Sequence, residues 1–510
     1  MAIAGATAVL GICSVAPLML LLVAPALAGR WDAYGSAILD ARQMQLLVNS
    51  ARIAGGAAVL ATAIGAPLGF LLARAPIAGR NAVRLALAIP VVVPTYALAL
   101  SWIFMGGSAG LVPISSFTYG PWGAVVVLGL ALYPISMLAT EAAATRIESR
   151  LEEAALLVAP PRRALMRITL PMLWPSVASS ALLTFVLALA DYSVPNLLRQ
   201  RVFTTEVFTA FAALYDVARA TALALPLLAV ALVVGYVVAP IGHSVLTTGR
   251  PSAGMGIRFP RLGPILLALG TGVFSASVVL PFGILTAEAG SVAAMKAALV
   301  RSGTAIGESL WLAGVAATLA SAVALALGYG RGRWRHPAAR WADAALIALF
   351  AVPGTITGIG LIELWNRPGW IGGLYGTPAM LVIAYLARFI PVATVLLSAA
   401  VRRVPRSGEE AAALSGAGWA RTMRHVVVPQ LALSLLVAWV VVFVLAFGEV
   451  GASVLVAPPG HAPFPVHVFT LIANAPTEQV AALALVQAAV VVCPFVLATT
   501  YASWSRSRHG

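Results

Sequence analysis

Phe185-Val186-Leu187-Ala188-Leu189-Ala190-Asp191 returns later in the chain as Phe443-Val444-Leu445-Ala446-Phe447-Gly448-Glu449. Both are apolar runs that close on an acid. Other punctuation keeps nearly the same interval: Gly69 pairs with Gly328, Pro94 with Pro353 and Pro134 with Pro391. Chance can align one apolar run with another, but prolines, glycines and acids staying in step over many segments indicate a duplication. Of the 510 residues, 61% are hydrophobic and 10% charged, whereas soluble domains carry roughly a quarter charged residues. The solvent for most of such a chain is lipid.

A helix that crosses about 30 Å of hydrocarbon needs roughly 20 mostly apolar residues. Twelve segments approach this: Ile3–Ala28, Leu47–Ala73, Leu85–Met105, Gly123–Ala139, Val177–Val194 and Thr221–Ile241, then Leu262–Leu285, Ser309–Leu327, Ala344–Leu364, Thr377–Ala400, Leu431–Val456 and Val480–Ala498. The expected fold is an all-α integral membrane protein of about twelve transmembrane helices in two six-helix repeats, 1–245 and 262–510. A Gly-, Ser- and Pro-rich linker at 246–261 joins them. An even number of spans per half leaves both halves in one orientation, a parallel repeat with its axis along the membrane normal. Ala26-Leu27-Ala28 resembles a signal-peptide cleavage site, but no Lys or Arg precedes its long apolar run, so it reads as a retained first span.

Short cytoplasmic loops carry the excess of basic residues. Most of the 32 Lys and Arg fall in one set of alternate connections, including Arg74, Arg80, Arg84, Arg146, Arg150, Arg162, Arg163 and Arg167 and their counterparts Arg331, Arg333, Arg402, Arg403, Arg421 and Arg424. Both termini are therefore expected in the cytoplasm. The net charge of +15 is scattered through loops, not gathered in one patch, so nucleic acid is not an expected partner. Lys296, the one lysine, follows Ala294-Met295, which excludes a Gly-Lys-Ser/Thr phosphate loop and assigns any nucleotide hydrolysis to another subunit. Cys13 and Cys493 lie far apart within apolar runs and suggest neither a disulfide nor a metal site.

The long polar loops after the fourth span of each half carry a second repeated element. The loop within 402–429 contains Glu409-Glu410-Ala411-Ala412-Ala413-Leu414-Ser415-Gly416 and runs on to Val426, Val428 and Pro429. The loop within 146–171 contains Leu151-Glu152-Glu153-Ala154-Ala155-Leu156 and runs on to Pro171, with Ala159 where the other copy has Gly416. Glu-Ala-Ala followed by Leu is strong helix-forming material, and acids suit the positive end of a helix dipole. The alanines leave a narrow face that can enter a groove on another protein, and Gly416 can end the helix. An ordinary amphipathic connector is the competing reading, weakened by the presence of two copies.

These residues resemble the EAA signature of ABC importer permeases: Glu-Ala-Ala, a Gly six residues after the Glu, and an apolar-x-apolar-Pro element opening the next span. The resemblance implies a type I importer permease fold in a bacterial inner membrane. It further implies two cytoplasmic ATP-binding subunits, one on each loop, and a periplasmic solute-binding protein. It also implies that Glu152, Glu153, Ala154, Ala155 and Ala159, with Glu409, Glu410, Ala411, Ala412 and Gly416, form the ATPase contacts. The fused arrangement, with Val456-Ala457-Pro458-Pro459-Gly460 after the eleventh span, looks most like ferric-iron importer permeases, and thiamine and aminoethylphosphonate permeases are close alternatives.

Charges in or near the spans are pathway candidates because an ionised group in hydrocarbon needs a partner or a cavity. They are Asp191 and Glu449 at equivalent positions, Glu363 at the end of the ninth span, and Arg388 within the tenth. An internal pair between Arg388 and a carboxylate is the structural alternative. The six histidines fall in loops or at span ends, so no metal site or cofactor is expected. A twelve-helix secondary transporter remains the alternative function, although the loop Arg74–Asn81 lacks the acid common in that class. A membrane enzyme is third, without a close cluster of His, Asp, Glu or Ser at catalytic spacing.

Overall fold

The computed structural model describes residues 2–27, 29, 41–247, 262–334 and 339–509. Most of the proposed linker, 248–261, lies outside them. The described residues form helices and no strand. Ten helices are long and apolar enough to cross a bilayer: Ala2–Val23, Ala41–Arg74, Pro121–Ala144, Pro161–Ala190, Val217–Val238, Gly263–Glu288, Val292–Arg333, Ala379–Arg403, Trp419–Phe447 and Thr477–Tyr501. Two further spans, the third and the ninth, are each broken into a bent pair. Ordinals below count all twelve in chain order.

Each break divides a segment that hydropathy reads as one span. Arg80–Val91 meets Thr95–Gly106 at 82°, and Ala339–Ala351 meets Gly354–Trp365 at 94°. Pro94 and Pro353 stand at the two corners as the residues capping the second helix of each pair, with ψ 131° and 141°. A proline has no N–H to give to the preceding turn and pushes the residue before it out of the helical region. Backbone groups freed inside a membrane need partners from the protein. At the first corner the buried Tyr133 hydroxyl donates to the Leu87 carbonyl at 2.7 Å. The fifth and eleventh spans are also shorter than expected at their far ends, stopping at Ala190 and Phe447, one and two residues before the acids.

Helix pairing rests on glycine. In lipid no hydrophobic force drives helices together, so close backbone approach between small residues does much of the work. A Cβ on Gly65 or Gly69 of the second span would collide with the Tyr133 or Met137 carbonyl of the fourth. On the eighth span, a Cβ on Gly328 would lie 3.0 Å from Leu397 Cβ, and one on Gly332 would lie 2.7 Å from Val401 Cγ1, both on the tenth. The same pair of spans thus packs through a Gly-x-x-x-Gly spacing in each repeat.

Compact units and sequence repeats are cut differently. One unit holds the first span with residues 302–467; the other holds residues 41–247 with the seventh span and residues 468–492. In the first of these, Ser14 of the first span donates to the Ala387 carbonyl at 2.8 Å, and Gly360 lies against the Pro17 backbone. In the second, the seventh span packs on the second and third. The opening span of each repeat therefore lies within the unit built mainly from the other repeat.

Gly69→Val is expected to lower the thermal unfolding midpoint of the purified protein markedly, because overpacking a closed contact costs about 1–3 kcal/mol. Gly55→Ala, where an added Cβ meets nothing within 4 Å, should leave the midpoint unchanged or raise it. Equal midpoints for the two variants would refute the close-packing role.

Candidate functional site

The two Glu-Ala-Ala loops fold as short helices, Ser149–Val158 and Ser407–Leu414. The paired acids at the start of each divide their roles. Glu152 is buried and accepts Arg74 at 2.8 Å and the Thr169 hydroxyl at 2.9 Å. Arg74, the last residue of the second span, also donates to the Ala144 carbonyl at the end of the fourth. In the second copy Glu409 accepts Arg333 and, at 2.7 Å, the Tyr329 hydroxyl, while Arg333 donates to the Val404 carbonyl at 3.0 Å. Arg74 and Arg333 occupy equivalent places in the repeat, so each loop helix is clamped by the same ion pair to the second span of its own repeat. Glu153 and Glu410 are exposed. Ala155 is buried against Ala164 and Ile168, Ala412 is half-buried, and Ala154 and Ala411 face outward.

The helix ends differ for a local reason. Gly416 has φ +76°, and the Ala417 N–H bonds the Ala412 carbonyl while the Gly416 N–H bonds that of Ala413, the paired closure that a left-handed residue makes possible. In the first copy Ala159 is extended, φ −148° and ψ 148°. Pro160 follows it, and a residue before proline is held in that region; no glycine is needed. Each loop then re-enters the membrane through a four-residue helix and a π-turn, Leu165–Thr169 and Met423–Val427. Beside the exposed acids, Leu157 is 87% and Leu414 91% exposed. The two leucines occupy equivalent positions in the repeat and leave an apolar side chain beside an acid on each loop.

The candidate pathway acids cap short helices that follow the fifth and eleventh spans. Asp191 accepts the Val194 N–H at 2.9 Å and the Thr95 hydroxyl at 2.6 Å. Glu449 accepts the Ala452 N–H at 2.8 Å, the Ser453 N–H at 2.9 Å and the Ser453 hydroxyl at 2.7 Å, and pairs with Arg388 at 3.2 Å. Thr95 and Gly354 are the equivalent first residues after the two broken corners. Where the first repeat has a threonine that donates to its acid, the second has a glycine whose missing Cβ leaves room for the Arg388 guanidinium. Arg388 Nε is buried without a hydrogen-bond partner. Glu363 is not drawn into this group; it is half-buried near the end of Gly354–Trp365, and its carbonyl accepts Arg367 Nε. Among the described residues no three His, Cys, Asp or Glu gather where a metal ion could sit.

Arg74, Arg333, Tyr329, Thr169 and Thr95 were not singled out from the sequence. The alignment of Arg74 with Arg333 across the repeat, at the same span end, was the available signal for the clamp. Thr95 opposite Gly354 gave no signal without the geometry.

A membrane fold of broken and paired spans, with two clamped loop helices bearing exposed acids, defines a transport permease. Residues 65–246 match the family described as "Binding-protein-dependent transport system inner membrane component", and the chain belongs to that family, the permeases of ABC importers. It is 23% identical to a Fe(3+)-transport system permease protein of Haemophilus influenzae over 81% of each chain. It is 25% identical to a putative ferric transport system permease protein of the same organism, over 81% of this chain and 70% of the relative. A putative ABC transporter permease protein of Streptomyces antibioticus is 34% identical over 31% of this chain and 68% of its own length.

Arg74→Leu removes the cation from the buried Glu152, which is expected to cost about 3–5 kcal/mol and lower the unfolding midpoint. Arg74→Leu combined with Glu152→Leu should recover most of the loss. A double variant no better than the single one would show that the ion pair does not hold the loop.

Proposed function

We propose that this permease is driven by two cytoplasmic ATP-binding subunits, one seated on Ser149–Val158 and one on Ser407–Leu414, and that a periplasmic binding protein delivers its solute. The observation that carries this reading is the division of each acidic pair. Glu152 and Glu409 fix the loop helices to the permease, and Glu153 and Glu410 stand exposed beside Leu157 and Leu414. An exposed acid next to an exposed leucine on an anchored helix offers a charge and an anchor to a groove on another protein. The permease makes and breaks no covalent bond; hydrolysis occurs on the partner subunits. The arginine-rich loops, which include both of these helices, face the cytoplasm, as do both termini. The cargo is ferric iron, supported by the printed function of the relatives matched over most of the chain.

Binding-protein-stimulated ATP hydrolysis by the assembled complex tests the docking. Glu410→Lys should reduce stimulation tenfold or more, since an unpaired interfacial charge costs about 2–5 kcal/mol. Glu153→Lys should reduce it less, because the Pro160 turn fixes the first loop where Gly416 leaves the second free to bend. Gly416→Asp strains a left-handed residue and should also impair stimulation. Normal assembly and stimulation in all three would remove the docking assignment.

Orientation and cargo have separate tests. Single cysteines at Arg163 and Gly418, in a background without Cys13 and Cys493, should resist an impermeant thiol reagent applied from the periplasm. Labelling of both would reverse the orientation. Uptake of labelled ferric iron by cells expressing the complex should exceed that of cells lacking the permease; equal uptake would leave the class intact and reject the cargo.

A further inference from the structure

A groove of about 340 Å³ opens beside the second loop, between the eighth span and the start of the eleventh. Its volume lies at the low end of the roughly 300–1,000 Å³ usual for ligand sites. Ala322, Leu325, Met423 and Val428 give it an apolar floor, and Trp419 and Arg424 stand in its wall. Arg424 is exposed and has no hydrogen bond or ion pair among the described residues. Arg421 and His425 are exposed on either side of it, and no acid lines the groove. Trp419 is half-exposed and meets Tyr329 edge-on at 6.3 Å.

An apolar slot on a membrane-spanning surface, with a tryptophan and an unpaired arginine at the span's polar end, matches the boundary between acyl chain and headgroup. Tryptophan concentrates at that depth, and basic residues there attract anionic lipid. We propose that this groove is a specific site for an anionic phospholipid, one acyl chain lying along Ala322, Leu325, Met423 and Val428 and the phosphate held by Arg424. The site belongs to one half of the molecule. At the positions equivalent to Trp419 and Arg424 the first repeat has Pro161 and Met166, and neither can hold a phosphate. The occupant touches the ring that packs on Tyr329, and Tyr329 donates to Glu409. On the importer reading above, a bound lipid therefore stiffens the anchor of the second loop helix and not the first.

The test uses the permease alone in nanodiscs, without nucleotide, cargo or ATP-binding subunits, so its failure leaves the docking assignment untouched. Emission attributable to Trp419 is obtained as the difference between wild type and Trp419→Phe. At equal mole fraction, phosphatidylglycerol with brominated acyl chains is expected to quench this difference roughly fivefold more effectively than brominated phosphatidylcholine, the preference one arginine confers at a membrane surface. Arg424→Met, which installs the first repeat's residue at an exposed position, should abolish the preference, and Arg424→Lys should retain it. Equal quenching by the two lipids would reduce the groove to ordinary lipid-facing surface and overturn the proposal. Preferential quenching that persists in Arg424→Met would place the phosphate elsewhere and overturn it equally.

Discussion

A carboxylate withdrawn from water must be given donors, or it destabilises the fold that hides it. This chain places buried and half-buried acids at the ends and corners of helices and supplies those donors from a different element each time. Glu152 reaches the second span through Arg74, and Glu409 reaches the eighth through Arg333. Glu449 takes an arginine from the tenth span together with the N–H groups of the short helix that follows it. Asp191 takes a hydroxyl from the far side of the Pro94 corner. Each acid ties a segment that hydrophobic packing alone would leave loosely placed. The broken spans and the loop helices can hold one geometry because of these ties.

Duplication conserved the arginine–glutamate clamps on the loop helices but not the other ties. Between the third and fourth spans, Arg84 pairs with Glu141 at 3.4 Å. At the position equivalent to Arg84 the second repeat carries Asp343, paired with Arg331, and Ser398 replaces the glutamate. The ninth span is thus tied to the eighth, where its counterpart the third is tied to the fourth. At the corners, Thr95 and Asp191 form a link without net cation, whereas Gly354 admits Arg388 to Glu449. The two halves are thus alike in architecture and unlike in the charge they place near the candidate pathway.

Features confined to a few neighbouring residues were legible in the sequence, and features that depend on a distant partner were not. Glu-Ala-Ala is read as a helix because propensity is local, and the duplication shows because prolines and glycines mark register. Hydropathy sees length and not direction, so Leu85–Met105 and Ala344–Leu364 read as single segments although both turn sharply. Pro94 gives no warning by itself, since Pro134 and Pro391 lie inside continuous helices. The roles of Glu152 and Glu153 were indistinguishable for the same reason. Adjacent residues on a helix point about 100° apart, and only the position of Arg74 decides which of them is inward. The family resemblance put the motif glutamate at Glu153 and Glu410 but gave no sign that Glu152 and Glu409 turn inward.

The clamp also determines what a force on the second loop helix can move. Ser407–Leu414 is joined covalently to the tenth span before it and, through Gly416, to the eleventh after it. Arg333 and Tyr329 join it to the eighth as well. A load on the helix therefore reaches three spans, one of them by an ion pair at the end of a 42-residue helix. The route to the eleventh span passes through Gly416 and the Met423–Val427 π-turn, both of which yield more readily than a regular helix. The ion pair to the eighth has no such slack. Displacement of the loop helix thus drags the eighth span directly and lets the eleventh follow. In the first copy the turn at Pro160 and Pro161 stands in place of the glycine, while the π-turn Leu165–Thr169 remains on the onward route.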